Sequence, residues 1–277
     1  MTQAVKLVTF LNIVFVMLLA VSSTLDAVFA DCVYYLAFFI PFAIGFYASL
    51  KLQHDREEVK GLAEPDDRYF NFDKCSALKL LPLIFPTVAL VLLTSLFSSM
   101  AFSFVGIRSQ QTADDGIIKM LIIHALMPAI LEELLFRYIP IKLLLPYSKR
   151  WCILYSALCF SLIHCDFVQM PYAFVAGAVF MMVDIAFESV WPSIILHLVN
   201  NAMSVVWMKY CSDVAPTLVF ASLLLVLTAV SLVILILNRD EYKSRFDSAT
   251  DKGESFNVTY APILLVVICS YVAWANL

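Results

Sequence analysis

An all-α, polytopic transmembrane helical bundle of about eight or nine spans is the fold class this sequence predicts, and three observations carry it. Hydrophobic residues make up 62% of the 277 and charged residues 14%, where a soluble globular chain has roughly 45–50% and about 25%. Mean hydropathy is +0.88. Apolar runs of the length needed to cross a hydrocarbon core, about 20 residues, recur along the chain. They are unbroken rather than alternating. Of the two architectures that satisfy every backbone polar group in lipid, this predicts helices and excludes a barrel.

The predicted spans lie near 5–23, 32–50, 78–105, 117–146, 151–165, 167–187, 190–209, 217–238 and 260–276, and the count falls to eight if one pair is re-entrant. The first holds a single lysine, Lys6, and no clear small-residue cleavage pattern, so it reads as a retained helix and not a secretory signal. In the fourth, Pro128 frees a backbone carbonyl and predicts a kink. The seventh opens on Trp191-Pro192, an interfacial aromatic followed by a proline in the first helical turn. Two polar stretches, 51–77 and 239–259, read as solvated loops of mixed charge. The first contains His54-Asp55-Arg56-Glu57-Glu58 and Pro65-Asp66-Asp67-Arg68. No internal repeat or low-complexity tract is evident. Residues 1–277 thus form a single transmembrane domain with its polar core at about 117–209.

Positive charge sets the orientation. With the N-terminus inside, the inner segments hold Lys6, Lys51, Arg56, Lys60, Arg68, Lys74, Lys79, Lys149, Arg150, Arg239, Lys243, Arg245 and Lys252. The outer ones hold only Arg108, Lys119 and Lys209. That predicts an integral, multi-pass protein, of the plasma membrane in a bacterium, with its C-terminus outside. The sequon Asn257-Val258-Thr259 would then face the cytoplasm and is discounted. A formal net charge of −4 with no basic patch excludes a nucleic-acid partner. Seven scattered cysteines, Cys32, Cys75, Cys152, Cys159, Cys165, Cys211 and Cys269, form neither a disulfide framework nor a CxxC pair and read as small buried hydrophobes.

Against this background the ionisable residues inside spans stand out, because such groups are expensive in lipid and mark function. They concentrate in three segments: Glu132, Glu133 and Arg137; His164; His197 with Asn200 and Asn201. Glu133 and Arg137, four apart, can pair, while Glu132 points about 100° away and is free to face a cavity. Glu133 and Arg137 are therefore assigned support and Glu132 chemistry. His197 and Asn201 share a helix face; Asn200 turns away and reads as an interhelical hydrogen-bonding residue. At about 1.5 Å rise per residue from the predicted inner ends, Glu132, His164, His197 and Asn201 lie roughly 21, 20, 10 and 16 Å deep. In a core about 30 Å thick these depths allow the four to converge. His124, Asp26, Asp184 and Gln169 lie near helix ends or turns and are assigned to structure or rim.

The motifs Glu132-Glu133-xxx-Arg137, Phe160-xxx-His164 and His197-xxx-Asn201 resemble, in order and in placement on spans, those of the CPBP family of CAAX proteases and bacteriocin-processing enzymes, also called Abi proteins. The approach to the third, Ser189-Val190-Trp191-Pro192-Ser193-Ile194, is similar too, and the likeness covers about 120–205. The resemblance implies an intramembrane endopeptidase acting on a membrane-associated client, either a CAAX-type lipidated protein or a leader or pheromone peptide. It also implies that Glu132 and His164 activate a water while His197 and Asn201 stabilise the oxyanion. A carboxylate desolvated in an apolar cavity works as a base near neutral pH, and donors aimed at an oxyanion count most where water is scarce. No cofactor is required; a zinc ion held by Glu132, His164 and His197, with an open position for water, is the alternative. Two rival functions remain: a non-proteolytic immunity or scaffold protein, whose mark would be a lost motif residue, and a proton-coupled transporter, whose mark would be inverted repeats. Neither mark is present.

Overall fold

The computed structural model describes residues 2–60, 67–107, 116–211, 213–248 and 260–275. Among these the chain is helical throughout, without a strand. Helices α1 (Thr2–Ser22) and α2 (Ala27–Lys60) form a hairpin, and α3 (Ala77–Ser103) follows two short 3₁₀ turns, Asp67–Phe70 and Phe72–Lys74. A broken run carries α4 (Ile117–Leu121), α5 (Met127–Glu133) and α6 (Ile139–Leu144). Then come α7 (Lys149–Leu162), α8 (Gln169–Phe187), α9 (Trp191–Tyr210), α10 (Val214–Leu237), the polar α11 (Arg239–Ser248) and α12 (Tyr260–Ala275). Each predicted span thus has a helix in its place. The sequon, Arg108 and Lys252 lie outside the described residues, as do residues 61–66.

Among the described residues, five helices are by length and composition able to cross a membrane: Gln3–Ser22, Cys32–Leu52, Ala77–Ser103, Gln169–Phe187 and Val214–Leu237. The rest fall short for identifiable reasons. With 14 residues, α7 is about 21 Å long, and α12 has 16 residues. In α9, His197, Asn200 and Asn201 lower the hydropathy. The single helix expected over 117–146 is interrupted twice by π-helical turns, Ile122–Leu126 and Leu134–Tyr138.

Proline explains both interruptions. Pro128 and Pro140 lack an N–H, so neither can bond the carbonyl four residues back, and each ring crowds that turn. Immediately upstream the ladder slips to i−5: the Met127 N–H donates to Ile122 O and the Ile139 N–H to Leu134 O. The carbonyl stranded by Pro140 is that of Phe136, and side chains recover it. The hydroxyl of Ser156 on α7 donates to it, as does Arg137 Nη1 at 3.2 Å. The break that widens the turn therefore also ties it to α7. π turns of this kind occur often at functional sites.

Close packing holds α7 against α8. A Cβ on Gly177 would stand 3.1 Å from Ala157 Cα, so glycine is what lets these backbones approach. Thr9 and Tyr155 share a hydrogen bond that joins α1 to α7. At the other extreme α10 buries little more than Ser231 and exposes an almost continuous apolar surface, as a lipid-facing helix does.

The segments expected on the inner side meet at one end of the bundle. Ser189 Oγ donates to Asn71 O, Val190 N–H to Tyr69 O, and Lys149 Nζ to Phe246 O. Lys74 pairs with Glu188 at 2.6 Å, Lys79 with Glu241, and Tyr242 OH donates to Lys79 O. At the opposite end Asp166 caps the start of α8 through Val168 N–H at 2.7 Å, while Ser98 on α3 donates to Val168 O. All seven cysteines are free.

Candidate active site

Glu132 and Glu133 are the last two residues of α5, immediately before the second π turn. Glu133 is fully buried. Its Oε2 stands 3.1 Å from Nε of the equally buried Arg137, an ion pair at an angle short of hydrogen-bond geometry. Its Oε1 lies 2.7 Å from Nδ1 of His197 on α9. The expectation that Glu133 turns from the site towards Arg137 is thus half of the arrangement. Because the two carboxylate oxygens diverge, Glu133 serves both partners and joins the π turn to α9. Arg137 gains a further neighbour: its guanidinium carbon lies 4.4 Å from the Phe160 ring centroid, within cation–π range.

Glu132 faces differently, as its 100° offset requires. Its side chain keeps 13% of its surface accessible, and Oε2 stands 3.8 Å from Nε2 of His197. That separation is too long for a direct hydrogen bond. The His197 imidazole therefore stands between two carboxylates, bonded to Glu133 through Nδ1 and open towards Glu132 through Nε2.

His164 occupies the turn after α7, and its Nδ1 lies 2.8 Å from Phe160 O. A carbonyl can only accept, so Nδ1 carries a proton, and in the neutral ring Nε2 keeps the lone pair. The Phe160 ring stands edge-on to both imidazoles, with centroids 5.1 Å from His164 and 5.8 Å from His197. Phe180 from α8 lies 5.3 Å from the His197 ring. The aromatic residue that opens the second motif is thus the shared wall of both histidines.

Asn201 lies one turn beyond His197 and is half-buried. Its Oδ1 accepts from Asn200 Nδ2 at 3.2 Å, which leaves the Asn201 amide nitrogen to donate elsewhere. The role expected of Asn200, bonding to another helix, is not the bond found. Among the described residues, no three His, Cys, Asp or Glu side chains stand close enough together to hold a metal ion. Glu132, His164 and His197 are therefore not gathered as a zinc site in this structure.

Of the residues assigned to structure or rim, Gln169 bonds Asp166 at 3.1 Å and Asp26 begins the turn into α2. His124 lies in the first π turn. Asp184 departs from a rim position: it is fully buried, with Oδ1 accepting the Ser193 N–H at 2.9 Å. Sequence reasoning also passed over Ser156 and Ser193, both fully buried. The available signals were a lone acid in an apolar run and a serine one turn before a motif histidine.

The family model described as type II CAAX prenyl endopeptidase, Rce1-like, matches residues 114–203. The matched stretch contains all three motifs and agrees with the CPBP/CAAX protease resemblance. It supports a CAAX-type endopeptidase activity in general terms. No curated protein and no solved structure matches the chain.

Proposed function

We propose that this protein is an intramembrane endopeptidase that hydrolyses a peptide bond of a CAAX-type, prenylated membrane client with a water activated by Glu132. The observation that carries the reading is the placing of His197 between two carboxylates of unlike environment. Glu133, closed off and paired, fixes the ring through Nδ1; Glu132, still accessible, faces Nε2. A carboxylate that orients an imidazole through one nitrogen leaves the other for chemistry.

Glu132 takes a proton from the water as it attacks the scissile carbonyl. The Nε2 lone pair of His164, defined by the Phe160 carbonyl bond, shares in polarising that water. As the tetrahedral intermediate forms, protonated His197 donates Nε2–H to the oxyanion, and Glu133 compensates the charge on the ring. The free amide N–H of Asn201 is the second donor. Preorganised donors in a water-poor site commonly supply the largest share of such catalysis. Glu132 then returns its proton to the leaving amine. No covalent intermediate is required.

The test is cleavage of a farnesylated CAAX-type peptide by the full chain in lipid vesicles, followed by mass spectrometry. Wild type should release a new carboxyl terminus, and Glu132→Gln should not. Equal cleavage by both, or cleavage by neither across prenylated and unprenylated peptides, would overturn the proposal.

A further inference from the structure

The most unusual group outside this machinery is Asp184, one turn before the end of α8. Its Oδ1 accepts the N–H of Ser193, the third residue of α9. Its backbone carbonyl accepts the Ser189 N–H at 3.1 Å, so Asp184 grips both sides of the α8–α9 turn. Its Oδ2 is buried and has no hydrogen-bond partner among the described residues. The first N–H groups of any helix need partners from outside the helical ladder. Val190, at the cap position of α9, has no side-chain group to offer them. A carboxylate from the neighbouring helix does this instead.

Stability alone does not account for that choice. A serine or asparagine at the cap position would satisfy the same N–H locally. A buried, unpartnered carboxylate oxygen is, by contrast, unfavourable. What Asp184 provides and a local cap does not is a fixed distance between α8 and the first turn of α9. Ser193 lies four residues before His197, on the same face and about 6 Å along the axis. The height of Ser193 therefore sets the height of the imidazole between Glu133 and Glu132. The Ser193 hydroxyl bonds Val190 O at 2.9 Å and closes the same turn.

We infer that Asp184 is a positioning residue, which acts through the Ser193 N–H to hold His197 in register with Glu133. Its catalytic consequence rests on the endopeptidase reading above, but the geometric claim does not. The two are separated by reading the imidazole directly. The chain has four histidines, so ¹⁵N-histidine labelling of the full protein in detergent gives few resonances, and His197→Ala assigns the one in question. Asp184→Asn keeps an acceptor at the same place and should leave the His197 Nδ1–H resonance where it is in wild type. Asp184→Glu keeps the carboxyl group but adds a methylene, and should move or broaden that resonance while leaving the other three unchanged. Asp184→Ala is read in the same way should the glutamate variant fail to fold.

In the vesicle assay with the farnesylated peptide, the asparagine variant should stay within about threefold of wild type. The glutamate variant should lose about 10–100-fold in kcat with KM within twofold, the scale on which small misplacements act. An unmoved His197 resonance in the glutamate variant, or an equal shift in the asparagine variant, would overturn the inference. Absence of cleavage by wild type would defeat the endopeptidase reading and leave the resonance to decide the role of Asp184.

Discussion

Replacement of Arg137 by alanine should sharply destabilise this protein, and the structure sets the scale. Arg137 is fully buried, 3.1 Å from Glu133 and stacked over Phe160 at 4.4 Å. Its removal strands the Glu133 carboxylate, and breaking a buried pair from one side costs about 3–5 kcal/mol. For a chain of this size that is roughly a 10 °C fall in the thermal midpoint. The assay is thermal unfolding of the detergent-solubilised protein, followed by fluorescence of its four tryptophans. The informative comparison is the double variant Glu133→Gln/Arg137→Met, which removes both charges together. Neutral replacement of a whole buried pair is often harmless to stability, so the midpoint should recover to within a few degrees of wild type. Activity should not recover. The substituted amide can accept the His197 N–H but carries no charge to offset the ring, and a loss of at least about 10²-fold is expected. A single variant within about 2 °C of wild type would refute the pairing. So would a double variant no more stable than the single one.

Other outcomes follow from the same geometry. Ser156→Ala leaves the Phe136 carbonyl with one donor fewer opposite Pro140 and should cost about 1–3 kcal/mol, read as a lower thermal midpoint with α7 packing loosened. Gly177→Ala forces a Cβ to within 3.1 Å of Ala157 Cα and should cost about 1–3 kcal/mol; an unchanged midpoint would show that α7 and α8 are free to part. On the solvated end, Lys79 and Arg245 hold the Glu241 carboxyl below its ordinary range. That tie between α3 and α11 is complete above about pH 4.3, the unfolded value, and is lost as the pH falls through the lower folded one. The protection of α11 amides, measured against their intrinsic exchange rates at each pH, should therefore fall on acidification below the unfolded value, and Lys79→Ala should weaken that dependence.

The helices were legible in the sequence because apolar length is a direct physical requirement of the bilayer, and α1, α3, α8 and α10 meet it without ambiguity. The broken run over 117–144 was legible only in part. Pro128 announced a kink, but Pro140 stands among residues that read as ordinary helix, and the carbonyl it strands is satisfied by a hydroxyl from α7. The ion pair of Glu133 with Arg137 could be read from spacing, since both lie on one face of one chain segment. The bond from Glu133 to His197 could not, because it depends on how α9 is set against α5. Asp184 was misplaced for a related reason. Nearness to a helix end suggests a rim, yet the turn beside it is hydrogen-bonded to the 3₁₀ segments and Asp184 is fully buried. The Asn200 bond to its own neighbour likewise overrides the expectation that a membrane asparagine reaches another helix.

In the proposed mechanism Glu132 activates the water that cuts a membrane client. Comparative proteomics of membranes containing the wild-type protein or Glu132→Gln, at matched abundance, tests it without presuming the substrate. A defined set of new carboxyl termini should be present only with wild type, while both proteins insert and unfold alike. Identical termini in the two membranes would contradict it.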